Sequence, residues 1–132
     1  MYFRSSVCVF CNKNYWKYWE FLNNLVVFAK NKEAYEELKN IIDSVIEEYE
    51  IPKDRIVLSG SSMGGYGTWE MAMCYPEMFA AIFPICPAWS PSQSQFELIK
   101  DIPVWLTSSK KDPIVNYENS VVPGWEKICE VS

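Results

Sequence analysis

The residues of this 132-residue chain with the clearest chemistry are Gly60-Ser61-Ser62-Met63-Gly64, a Gly-x-Ser-x-Gly pattern. A serine hydroxyl is a weak nucleophile until the backbone presents it and a base activates it. The spacing meets the first need by sterics. Small residues two places before and after Ser62 let a strand and the following helix approach closely, so the serine sits on the sharp turn between them with Oγ exposed. The Met63 amide then points at the same spot, and the N-terminal dipole of the helix strengthens it as an oxyanion donor. A plain Gly-rich turn is the blander reading. A β-branched run directly before the pattern and a helical stretch after it favour the chemical one.

The surrounding elements must position that serine. Tyr35, Leu38, Ile41, Ile42, Val45, Ile46 and Tyr49 fall on one face of an amphipathic helix over residues 32–50, with Asn31 as its N-cap and Pro52 as its stop. Residues 55–59 form a buried strand, 60–67 a Gly-dense turn, 68–75 a helix and 80–86 a second strand. A Pro/Ser/Gln-rich connection follows over 87–101, with a helical turn at 95–100. Residues 103–108 read as another strand, and a short helix opens near Pro123. Residues 5–10 read as a short buried strand, while 14–28 show no clean period. This alternation implies an α/β fold: a mostly parallel sheet, right-handed crossovers and helices on both faces. Reactive groups in such sheets gather at the carboxyl ends of the strands, where Ser62 falls.

Composition narrows the partners. With 49% hydrophobic and 22% charged residues, the chain is a globular single domain over residues 1–132. Its 6 Trp, 8 Tyr and 7 Phe suit a packed core better than a ring-lined cleft. A net charge of −5 with no basic cluster argues against nucleic acid. Cys8 and Cys11 make a lone Cys-x-x-Cys in a chain with no histidine, short of the about four ligands a zinc site needs. No metal or other cofactor is expected. The N-terminus lacks the apolar core of a secretory signal, and residues 25–29 are far too short to span a bilayer. The chain as given is therefore expected in the cytoplasm, without a membrane partner, although a further N-terminal piece could carry an export signal.

The stretch DRIVLSGSSMGGYGTW (residues 54–69) resembles the α/β-hydrolase serine esterases related to polyhydroxybutyrate depolymerases, feruloyl esterases and the catalytic domain of prolyl oligopeptidase. YPEMFAA (75–81), PIC (84–86), KDIPVW (100–105) and KDPIV (111–115) are similar to the same group. The resemblance covers roughly residues 33–128 and is most specific at the serine turn and the Asp-Pro segment. It implies a partial α/β-hydrolase core over 31–132, with residues 1–30 poorly matched. The first strands and the last strand-helix unit of the fold would be missing, leaving open sheet edges through which the chain could self-associate.

The resemblance also assigns roles. Ser62 would be the nucleophile, the Met63 N–H an oxyanion donor, and Gly60 and Gly64 the glycines of the turn. Asp112 matches the acid of a Ser-His-acid triad, although Asp-Pro is also a common turn initiator. Ser108 stands where many relatives carry a histidine that is not the general base. The chain departs from the family in having no histidine at all, so the general base would lie beyond Ser132 in a complete version. Lys110 or Lys111 would need strong burial to replace it, since an ordinary lysine titrates near about 10.4. The resemblance implies ester substrates and leaves aryl esters, acetylated sugars, polyesters and peptides open. A non-catalytic binding module that keeps the hydrolase core is the alternative.

Overall fold

A computed structural model describes residues 7–11 and 32–131. The irregular segment 14–28 and the N-cap Asn31 lie outside them. In chain order the elements are β1 (Val7–Cys11), α1 (Lys32–Glu48), β2 (Ile56–Ser61), α2 (Met63–Cys74), β3 (Ala81–Ile85), α3 (Gln93–Phe96) and α4 (Val122–Val131). Short 3-10 turns at Lys53–Arg55, Pro76–Met78 and Glu97–Ile99 join them, and a π-helical turn at Tyr117–Val121 leads into α4.

The strands are ordered β1-β2-β3. β2 and β3 pair in parallel, in register from Val57 opposite Ala81 to Ser61 opposite Ile85, with α2 as the crossover between them. β1 is the antiparallel member of the sheet. It runs antiparallel to β2, with Val7 opposite Gly60 and Cys11 opposite Ile56. The crossover rule constrains strands joined through one packed helix, as β2 and β3 are through α2. β1 reaches β2 through residues 12–31 as well as α1, a length that leaves its direction free.

The strand expected over 103–108 is reduced to two parallel bridges, Ile82 with Val104 and Ile85 with Thr107. The hydrogen bonds give the reason. Ile82 N–H donates to the Pro103 carbonyl and Trp105 N–H to that of Ile82; further on, Thr107 N–H donates to Pro84 and Cys86 N–H to Thr107. The rung between these pairs would need an N–H from Pro84, which proline lacks.

α2 begins at Met63, five residues before the expected start at Thr68. Each glycine costs a helix about 1 kcal/mol relative to alanine, so propensity alone argued against including Gly64, Gly65 and Gly67. Packing outweighs it. A Cβ on Gly60 would run into the Gly64 carbonyl, and a Cβ on Gly65 would lie 2.8 Å from the Ile85 oxygen and 3.0 Å from Pro87 Cα.

The core joins these elements. Tyr35, Leu38 and Ile42 of α1 share one buried cluster with Ile56 and Leu58 of β2, Ile82 of β3, Trp69, Met71 and Ala72 of α2, and Ile128 of α4. Burying each large aliphatic side chain stabilises the fold by about 1.5–3 kcal/mol. Trp69 is fully buried and meets Phe96 edge to face, ring centroids 5.3 Å apart. Val104 and Leu106 pack against this cluster, whereas the intervening Trp105 is 74% exposed and tilts against Phe83, 6.0 Å away. No helix among the described residues is long and apolar enough to cross a membrane.

Candidate active site

Ser62 occupies the turn between β2 and α2 with φ 57° and ψ −115°, a left-handed conformation that L-residues avoid. Two hydrogen bonds hold it there. Its N–H donates to the Ile85 carbonyl at 2.9 Å, and its own carbonyl accepts from Tyr66 N–H at 3.1 Å. The Ser62 side chain makes no capping bond to α2, so the hydroxyl is not spent on closing the helix. The first amides of a helix have no intrahelical acceptor, and Met63 opens α2. Its N–H therefore belongs to the donors at that helix start.

The register aligns three carboxyl ends. Ser61 lies opposite Ile85, and Ile85 is bridged to Thr107. The next residues in the chain are Ser62, Cys86 and Ser108. Cys86 also takes a left-handed conformation (φ 38°), and its Sγ lies 3.6 Å from Ser61 Oγ. Cys86 ends the PIC stretch (84–86), but its place beside Ser61 depends on the β2–β3 register. Ser108 Oγ is buried without a hydrogen-bond partner among the described residues.

Asp112 lies in the loop after the Val104–Thr107 bridges. Its Oδ1 accepts from Ile114 N–H at 2.9 Å and Val115 N–H at 3.0 Å. These bonds, Val115 first, hold its carboxyl below the usual aspartate range, with partial desolvation opposing them. Asp112 therefore closes its turn and carries a negative charge at neutral pH. Both bonds fall on Oδ1. Ser62 and Asp112 are not hydrogen-bonded to each other. Two strand spacings, about 10 Å, separate β2 from the 104–107 segment. Lys110 and Lys111 are exposed, and the Lys110 ammonium stands 5.6 Å from the centre of the Tyr117 ring. Neither has the burial a lysine base needs.

No group of three or more Cys, Asp or Glu residues among those described could hold a metal ion. The side chains of Cys8 and Cys11 lie outside what the structure describes. Next to the serine turn, Tyr66 of α2 meets Trp89 edge to face, ring centroids 5.4 Å apart. Burial, then the nearby Glu70 charge and a hydrogen bond to Glu70, raise the Tyr66 phenol above its ordinary value.

A family model for phospholipases and carboxylesterases matches residues 20–122. Among solved structures, a thermostable esterase superposes with a TM-score of 0.67 at 42% sequence identity, over 76% of this chain. The chain spans about a quarter of that esterase's length, 26%. No curated protein sequence matches the chain. With the family model covering most of its length and a solved esterase superposing on three quarters of it, the chain belongs to the phospholipase/carboxylesterase family of α/β hydrolases.

Proposed function

We propose that this chain carries the nucleophile and acid part of a serine carboxylic-ester hydrolase site. Ser62 is the nucleophile at the elbow between β2 and α2, Met63 N–H an oxyanion donor, Gly60 and Gly64 the residues that permit the close turn, and Asp112 the acid. The observation that carries this reading is the left-handed backbone of Ser62, anchored to Ile85 with its hydroxyl left free of helix capping. Strain of that kind persists only where the surroundings enforce it, and it concentrates at functional positions.

In this reading an imidazole supplied from outside these 132 residues spans the gap between Ser62 and Asp112. It removes the Ser62 proton as Oγ attacks the ester carbon, while Asp112 orients it and stabilises its charged form. The resulting oxyanion is held by the Met63 amide and the positive end of α2. Without that base, Ser62 keeps its ordinary alcohol reactivity, so the 132 residues alone hydrolyse esters slowly or not at all.

The test is fluorophosphonate labelling of the purified chain beside Ser62→Ala, with and without added imidazole. Labelling that needs Ser62 and rises with imidazole supports the reading. Labelling at another residue would refute it. Folded protein that stays unlabelled under both conditions would favour a binding module that keeps only the hydrolase architecture.

A further inference from the structure

Trp89 is an aromatic ring held in place beside the serine turn. It is 39% exposed, yet the residues two positions away on either side, Pro87 and Pro91, are fully buried. The loop is tied down at several points. Gly65 of α2 packs against Pro87, and Ser90 Oγ donates to the Ser120 carbonyl. Gly124 of α4 backs directly onto the Ser90 side chain. A loop with these anchors does not need an exposed indole for its own packing.

The other ring is as firmly placed. Tyr66 lies one helical turn beyond Ser62, its N–H on the Ser62 carbonyl and its ring against Trp89. Met63, 44% exposed, lies between Ser62 and Tyr66 on the first turn of α2. Met63 and Trp89 are thus exposed close to the serine turn in sequence or through the Tyr66 contact, with Tyr66 half-buried between α2 and the Trp89 loop. An exposed indole that packs on a neighbouring ring beside a concentrated site of strain is a surface an apolar ligand can extend.

We propose that Trp89 and Tyr66 form a platform for the aryl group of an aryl ester, which packs against the indole while its carbonyl faces Ser62. The proposal rests on Ser62 marking the reacting centre. Among ester classes it favours a flat aromatic group over a saturated one, because a π face gains from ring-on-ring contact beyond what its area alone supplies.

The test needs no turnover. Acetanilide and N-cyclohexylacetamide are uncharged amide mimics of similar size that differ in the π face. Each is titrated into the full chain and followed by NMR through the backbone amides of α2 and of the Trp89 loop, which every variant retains, with the indole N–H signal lost in Trp89→Phe identifying Trp89 in the wild type. The expected result is about two- to ten-fold tighter binding of acetanilide. That preference should persist in Ser62→Ala and Trp89→Phe and vanish in Trp89→Leu, which keeps apolar bulk without a ring. If Trp89→Leu does not fold, Tyr66→Leu supplies the same readout. Equal binding of the two probes by the wild-type chain, or an unchanged preference in the leucine variants, overturns the proposal. Loss of Ser62 labelling with the aryl preference intact would instead remove only the hydrolase reading.

Discussion

The backbone N–H of Ser62 donates to the carbonyl oxygen of Ile85 across 2.9 Å, joining the end of β2 to the end of β3 at the residue with the left-handed backbone. That bond, with the close approach of Gly65 to the same oxygen, fixes the serine in a conformation it would not adopt alone.

The strain at Ser62 is measurable as stability. Residues in sparsely populated backbone regions cost about 1–3 kcal/mol, and glycine avoids most of that cost. Ser62→Gly is therefore expected to stabilise the chain by about 1 kcal/mol while removing the hydroxyl. Chemical denaturation of the two proteins checks it, and an unchanged or lower midpoint would show that the turn is not strained.

Gly65→Ala should act in the opposite sense. Its Cβ would lie 2.8 Å from the Ile85 oxygen, forcing α2 away from β3 and loosening the Ser62 anchor. Overpacking of this kind costs about 1–3 kcal/mol. A lowered melting temperature with faster exchange of the Ser62 amide is the expected result, and slow exchange in the variant would contradict it.

Asp112 has a structural role that can be separated from its charge. Asp112→Asn keeps an oxygen for the Ile114 and Val115 amides, so the turn should survive, whereas Asp112→Ala leaves both amides without their acceptor. The folded carboxyl titrates below its ordinary value of about 3.9. Its contribution is thus present above that value and is lost as pH falls through the lower folded one. NMR titration of the Asp112 carboxyl should show the depressed midpoint, and a midpoint at or above the ordinary one would refute it.

Tyr35 contributes on the alkaline side, as the raised phenols of Tyr66 and Tyr75 also do. Burial and then the Glu70 charge push its phenol above the usual tyrosine range. The neutral form is favoured in the folded chain, so this contribution is fully present below about pH 10, where an unfolded tyrosine titrates. It fades as pH rises above that value toward the folded one. Tyr35→Phe should flatten the alkaline limb of the stability profile; an identical loss in both proteins would assign that limb to other groups.

The periodicity of Tyr35, Leu38 and Ile42 and the Gly-x-Ser-x-Gly spacing were legible in the sequence because both are local. An amphipathic stripe and a close-packed turn follow from neighbouring residue types alone. The helix start at Met63, the antiparallel direction of β1 and the gap that Pro84 leaves opposite Trp105 depend instead on which backbone lies alongside, and that is a property of the packed chain. The same holds for the site. Residue type and spacing by themselves determined that Ser62 could be a nucleophile on a sharp turn. Only the tertiary structure decided that Ile85 anchors it, that the loop of Asp112 lies two strands away, and that Tyr66 and Trp89 meet beside it. Those relationships join residues 20 or more apart in sequence, and such contacts form only when the sheet register brings the strand ends together.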